Sequence, residues 1–119
     1  MNTKILGDFG ETAVAEYLCR QGWQILARQV RYVGAELDIV AKERDTIVFV
    51  EVKTRRNLTH GLPSQAVNFR KQRQIAKAAQ SYLDRHNLWD KPCRFDVAEV
   101  YVQPSGSYDI KLITAAFEI

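Results

Sequence analysis

The sequence predicts an α/β domain in which a mixed sheet of about five strands is flanked by two main helices. Residues 4–21 and 64–86 carry apolar side chains at helical spacing, and five other segments have the composition of strands. The second helix lies between the first three strands and the last two. A crossover helix between two segments of sheet makes the fold α/β with a mixed sheet.

The first helix is predicted to end at Gly22, after an apolar stripe made of Leu6, Phe9, Ala13, Val14, Tyr17 and Leu18. Glu11 lies at the edge of this stripe. Its carboxylate can lean toward the sheet and join a metal site, or it can be solvated. The residues alone favour solvation.

Residues 23–33, 36–42 and 46–54 are predicted to form three antiparallel strands, with a turn at Gly34 and Ala35. Residues 55–63 have little apolar content and are expected to form a loop. The second helix is predicted to begin near Pro63 or Ser64, and residues 94–102 and 108–113 complete the sheet.

Charged residues interrupt the second and third strands at corresponding places. If the hairpin loop is centred on residues 44 and 45, Asp38 lies opposite Glu51, Glu36 lies opposite Lys53, and all four share one face. Directly opposed carboxylates are destabilising unless something neutralises them. A divalent cation would do so.

Asp38 and Glu51 suit Mg²⁺ or Mn²⁺, because hard cations bind oxygen ligands and often use only one or two carboxylates. A main-chain carbonyl near Val52 is a candidate third protein ligand. Lys53 is placed to hold a phosphate or to position a nucleophile. These residue types in this pattern predict metal-assisted hydrolysis of a phosphodiester.

The net charge of +3 conceals an uneven distribution. Residues 52–83 contain no Asp or Glu, and their seven basic residues are Lys53, Arg55, Arg56, Arg70, Lys71, Arg73 and Lys77. Arg70, Arg73 and Lys77 fall opposite the apolar stripe of the second helix, where a solvated face and a phosphate contact are evenly balanced. Lys71 lies on the border of that stripe and is the better candidate to reach the charged strands. A cationic block beside carboxylates predicts a nucleic-acid partner, with DNA preferred.

The composition also excludes several classes of protein. The 119 residues suit one domain, spanning residues 1–119, and no apolar run approaches the roughly 20 residues that a membrane-spanning helix requires. No secretory signal is evident, so a cytoplasmic protein without membrane contact is expected. Cys19 and Cys93 are too isolated for a zinc site or a disulfide framework and are predicted to be free, buried thiols.

Several motifs together resemble the bacterial YraN-like proteins, uncharacterised protein family 0102. They are Gly7–Ala13, Gly34–Ala41, Val48–Arg55, Lys71 after Ala66-Val67, and Arg94–Val97. The resemblance spans nearly the whole chain and implies a restriction-endonuclease-like fold of the PD-(D/E)xK nuclease superfamily, similar to archaeal Holliday junction resolvases.

The resemblance also implies roles for particular residues. Asp38 and Glu51 match the metal-binding acids, Lys53 matches the motif lysine, and Glu11 matches an acid on the first helix, which favours a place for Glu11 in the site. Glu36 belongs to a Gly-Glu-x-Asp pattern, although Ala35 separates it from Gly34, so the usual second glycine is missing. Some nucleases of the superfamily carry a Gln at the start of the following helix, and Gln65 is an accessory candidate.

The favoured function is therefore a Mg²⁺- or Mn²⁺-dependent DNA nuclease that selects branched or junction structures. One small site reaches one strand, so cutting both strands would suit a symmetric homodimer. The main alternative is a nucleic-acid-binding adaptor that keeps the fold without catalysis. A structural charge cluster beneath a protein-binding surface ranks last, because it leaves two opposed carboxylates with only one nearby ammonium.

Overall fold

The computed structural model describes residues 2–32, 34–56 and 67–118. These residues form, in chain order, α1 (Thr3–Arg20), β1 (Gln24–Tyr32), β2 (Ala35–Glu43), β3 (Thr46–Arg55), α2 (Phe69–Arg85), β4 (Cys93–Val102) and β5 (Tyr108–Phe117). The strands lie in sequence order across one sheet, and only β3 and β4, which flank α2, run parallel. The predicted α/β fold with a five-stranded mixed sheet and two helices is confirmed.

The two helices cover opposite faces of the sheet. Val14 and Leu18 of α1 belong to a buried cluster that includes Ile39 of β2. Ile75 of α2 belongs to a separate cluster that includes Phe49 of β3. The central strands are therefore buried on both faces, which explains their nearly continuous apolar composition.

The start of α2 differs from the prediction. The helix begins at Phe69, and the side chain of Asn68 caps it by accepting a hydrogen bond of 2.8 Å from the Lys71 N–H. Val67 and Asn68 precede the helix, while residues 64–66 lie outside the described residues. The apolar periodicity becomes regular only from Ile75, so it could not locate the first turn of the helix. The Asn68 cap marks where that turn begins.

Two further predictions need correction. β5 continues to Phe117 instead of ending at residue 113, because Asp96 accepts a hydrogen bond of 2.9 Å from the Ala115 N–H and the pairing resumes beyond this irregularity. Cys19 and Cys93 are free, as predicted, but both are exposed instead of buried.

Neither of the two described helices is long and apolar enough to cross a bilayer.

Gly10 allows α1 to approach β3 closely. A Cβ atom at this position would overlap the Thr54 hydroxyl and lie 2.9 Å from the Thr54 Cβ. Gly7, one helical turn earlier, has nothing within 4 Å of the corresponding position. The missing side chain at residue 10 thus fixes how near the adjacent Glu11 lies to the sheet.

We expect Gly10→Ala to lower the free energy of unfolding by about 1–3 kcal/mol, because the new methyl group overpacks the contact between α1 and β3. The matched variant Gly7→Ala should be neutral or stabilising by up to about 1 kcal/mol, since alanine favours a helix over glycine. Urea unfolding of both variants measures the difference. Equal effects at the two positions would contradict the close-approach explanation.

Candidate functional site

The β2–β3 hairpin has the predicted register, but its ladder is shorter. Five pairs run from Glu43–Thr46 to Ile39–Val50. Beyond them, the Asp38 carboxylate accepts a hydrogen bond of 2.9 Å from the Val52 N–H. Asp38 and Glu51 are therefore not ladder partners, and the carboxylate of Asp38 lies where the two strands separate.

An irregularity in the neighbouring strand accompanies this separation. Gln29 of β1 has a φ of 52°, and the regular pairs Arg28–Ile39 and Val30–Leu37 flank it. Leu37 and Ile39 pack into the clusters on opposite faces of the sheet, although a regular strand would place them on the same face. The prediction that all four charged residues share one face was therefore wrong, because side-chain alternation in β2 breaks at Asp38.

Glu36 also lies elsewhere than predicted. The β2–β3 ladder ends before Glu36, so Glu36 is not paired with Lys53. On the other edge of β2 it pairs with Arg31 of β1, and its carboxylate is 3.3 Å from the Arg31 guanidinium. Glu36 still lines the same cleft as Asp38. It contributes negative charge to the cleft from its exposed rim.

Glu51 is buried on the α2 side of β3, where its side chain is only 5% exposed. The Lys71 ammonium of α2 is 3.9 Å from its carboxylate. Burial and the nearby charge of Asp38 raise the pKa of Glu51 to about 8. Burial likewise raises the pKa of Asp38 to about 6, against the lowering effect of the Val52 N–H. The two acids lie close enough to oppose each other's ionisation.

Lys53 is half-buried beside these acids. Burial and the contact with the Lys71 ammonium lower its pKa, while Glu51 and Asp38 act in the opposite direction. Two lysines from different elements thus face two carboxylates. Such a group can hold an anionic ligand as well as a cation.

The backbone of Val52 offers a further oxygen at the same place. In a strand, the N–H and C=O of one residue point toward the same neighbouring strand. Because the Val52 N–H points toward Asp38, its carbonyl also faces the gap between β2 and β3. This geometry agrees with the predicted main-chain ligand.

Glu11 is buried instead of solvated. Its carboxylate is 3.1 Å from the Arg28 Nε, and the Gln29 side-chain amide donates a second hydrogen bond of 3.4 Å. The two consecutive β1 residues both reach α1 because of the left-handed conformation of Gln29. Glu11 also lines a cleft of about 410 Å³ with Asp38, and its charge raises the pKa of Asp38.

The oxygen atoms at this site suit a metal ion that keeps several water or substrate ligands, more than one that is enclosed by protein ligands alone. Among the described residues, no three Asp, Glu, His or Cys side chains are grouped to hold a metal ion. Mg²⁺ commonly uses one or two carboxylates and takes its remaining ligands from water and phosphate. Asp38, Glu51 and the Val52 carbonyl fit that pattern, and the burial of two mutually opposing carboxylates favours a cation between them.

The predicted basic residues divide into groups. Lys71 reaches the acids, whereas Arg70, Arg73 and Lys77 are exposed on the side of α2 that faces away from the sheet. Arg55 ends β3 in register with Tyr101, and Arg56 is exposed just after it. Gln65 lies outside the described residues.

Sequence reasoning assigned no role to Glu99, which is fully buried on β4 in register with Lys53. One carboxylate oxygen accepts a hydrogen bond of 2.9 Å from the Tyr101 hydroxyl. Among the described residues, the other oxygen has no hydrogen-bond partner. An acid between the apolar residues Ala98 and Val100 was the available signal. Arg28 and Gln29 carried no such signal, since nothing in their types predicts a contact with Glu11.

The raised pKa of Glu51 predicts a pH-dependent stability. In the folded protein the pKa is about 8, compared with an ordinary value of 4.5, so the folded state binds this proton more tightly than the unfolded chain does. The stabilisation is complete below about pH 4.5 and is lost as the pH rises toward 8. Without divalent cations, the free energy of unfolding should therefore fall from pH 5 to pH 8, and Glu51→Gln should remove much of this fall.

Urea unfolding in EDTA at several pH values measures this effect. Glu16 is exposed on α1, so Glu16→Gln is the matched control and should follow the wild-type pH dependence. If the stabilities of Glu51→Gln and wild type differed by the same amount at every pH, the buried-carboxylate explanation would be wrong.

Comparison with known proteins places the chain in a family. The sequence model described as Uncharacterised protein family UPF0102 matches residues 10–100. A UPF0102 protein from Symbiobacterium thermophilum is 46% identical over 112 residues, which cover 94% of this chain and 95% of the relative. UPF0102 proteins from Trichlorobacter lovleyi and Clostridium botulinum are 47% and 48% identical, covering 96% and 98% of this chain and 91% and 96% of the relatives. The chain belongs to the UPF0102 family.

Proposed function

We propose that this protein is a metal-dependent nuclease that hydrolyses DNA phosphodiester bonds. The meeting of two carboxylates and two lysines where β2 and β3 separate carries the proposal. Asp38 is fixed there by the Val52 N–H, and Glu51 is buried beside Lys71. A cleft of about 410 Å³, whose lining includes Asp38 and Val52, reaches this gap from the α1 side.

Each residue of the site would have a role that suits its chemistry. Asp38 and Glu51, with the Val52 carbonyl, would hold Mg²⁺ or Mn²⁺. When bound, such a cation activates water and neutralises charge that develops on phosphorus. Lys53 and Lys71 would bind phosphate oxygens, and Lys53 would also orient the attacking water. Glu11, held by Arg28 and Gln29 of β1, would add negative charge beside Asp38 and so strengthen the attraction of the site for a cation.

Phosphate contacts would position the nucleic acid without selecting its sequence. Arg55 is the last residue of β3 and Arg56 follows it. Together with the exposed Arg70 and Arg73 of α2, they could contact the phosphates on either side of the cut. A structure-selective activity on branched DNA fits this arrangement. A symmetric dimer would supply the second site needed to cut both strands. A cytoplasmic location agrees with a DNA substrate.

A second candidate function is a nucleic-acid-binding adaptor without catalysis. The ion pair between Lys71 and Glu51 favours it, because a carboxylate that already has a cationic partner depends less on a metal. Cleavage experiments distinguish the adaptor from the nuclease.

We expect cleavage of end-labelled DNA in Mg²⁺ or Mn²⁺ and none in EDTA. The panel comprises linear duplex, single-stranded, flapped and four-way-junction DNA. Glu51→Ala should abolish cleavage, while the exposed-site control Glu16→Ala should retain it. Salt-sensitive binding without cleavage in any metal would support the adaptor function instead.

Replacing Lys53 and replacing Asp38 should have different effects on cleavage and on metal binding. Lys53→Ala should reduce cleavage about 100-fold or more through loss of electrostatic stabilisation, yet retain Mn²⁺ binding, whereas Asp38→Ala should lose both. Calorimetric titration with Mn²⁺ and single-turnover cleavage measure the two properties. Lys42→Ala, at the hairpin end of β2, is the control and should retain both. Wild-type cleavage by Lys53→Ala would contradict the role given to the lysine.

A further inference from the structure

The first residue of α2 is an exposed aromatic. Phe69 is 70% exposed, although the helix buries a continuous apolar stripe on its other side. A single exposed apolar residue is ordinary on a protein surface. What distinguishes Phe69 is the set of residues around it.

Phe69 forms one wall of a hollow of about 330 Å³ on the outer side of α2. The other described lining residues are Arg70, Arg73, Gln74 and Lys77. The Arg73 guanidinium lies 5.6 Å from the centre of the Phe69 ring. We call this surface the Phe69 hollow. Its described lining contains three cations and an aromatic ring but no carboxylate.

The Phe69 hollow and the candidate active site share the first turn of α2. Lys71, two residues after Phe69, reaches Glu51 on the side of the helix that faces the sheet. Residues two apart on a helix point in nearly opposite directions, while their positions along the axis differ by only about 3 Å. The Phe69 hollow therefore lies level with Lys71 along the helix axis, and a strand whose phosphate is bound by Lys53 and Lys71 would have its neighbouring nucleotides near this end of α2.

We propose that the Phe69 hollow binds an unpaired base of the same DNA strand, stacked on Phe69, while Arg70, Arg73 and Lys77 bind the flanking phosphates. This inference rests on the proposed function in placing the bound strand at the active site. It names the substrate class as DNA with unpaired nucleotides beside the cut, such as flaps, gaps or splayed arms.

The chemistry of the hollow favours this occupant over a protein surface. Aromatic and arginine side chains also occur in protein interfaces, but a protein partner here would have to bring carboxylates to neutralise three cations around one ring. A single strand supplies flat bases and regularly spaced anions together, and bases stack on aromatic side chains whatever their sequence. In a fully paired duplex both faces of each base are already stacked, so no base is free to stack on the Phe69 ring.

Binding in EDTA tests the proposal without cleavage. The probe is a flapped DNA that carries 2-aminopurine at one unpaired position, compared with a linear duplex of the same length. Fluorescence of the 2-aminopurine should change on binding, and Phe69→Leu should weaken flap binding about tenfold while leaving duplex binding unchanged. Phe69→Trp keeps an aromatic ring and should restore flap binding.

Trp89 provides the matched control, since it is 68% exposed and lies beyond the other end of α2. Trp89→Leu should bind the flap as wild type does. Unchanged flap binding by Phe69→Leu, or equal losses on flap and duplex, would overturn the proposal. If Phe69→Leu cleaves and binds flapped DNA as the wild type does, the stacking proposal is refuted but the nuclease function is not. Phe69-dependent binding without cleavage in any metal refutes the nuclease alone, and absence of all DNA binding refutes both.

Discussion

The hydrogen bond from the Val52 N–H to the Asp38 carboxylate is the interaction on which the site depends. A buried backbone donor left without a partner is costly, so two neighbouring strands rarely separate unless something replaces their ladder. Asp38 provides that replacement and lets β2 leave β3 directly after the Ile39–Val50 pair. The same hydrogen bond holds a carboxylate in the gap, where the Val52 carbonyl also faces. One residue therefore ends the strand pairing and begins the site.

Apolar packing away from the gap determines which charges meet there. The stripe of α2 that includes Ile75 and Tyr82 anchors the helix on its face of the sheet, and this position brings Lys71 to Glu51. On the opposite face, the close contact of Gly10 with Thr54 sets the depth of α1 and so the position of Glu11. Buried charges are unfavourable unless they are paired. The two helices supply paired charges because each is held by its own hydrophobic cluster.

The first turn of α2 lies between the candidate site and the Phe69 hollow. Lys71 points toward the acids, while Phe69 and Arg73 stand on the outer side. The Asn68 cap fixes where this turn begins and hence the direction in which each of these side chains points. In the proposed nuclease, a strand passing this turn would meet phosphate-binding lysines on one side and an aromatic ring on the other.

The sequence by itself determined the order of helices and strands, the hairpin register, and the grouping of Asp38, Glu51 and Lys53 near one end of β3. These features follow from local periodicity and turn position, which short stretches of chain specify. The border position of Lys71 on its helix also predicted that it reaches the charged strands. Only the tertiary structure decided that Glu11 is buried, that Glu51 is the acid that Lys71 meets, and that the strands separate at Asp38. The left-handed conformation of Gln29, which turns two consecutive residues toward α1, has no signature in its residue type. Each of these outcomes depends on how deeply a helix packs against the sheet or on a backbone irregularity stabilised by distant residues, and neither is encoded in local periodicity.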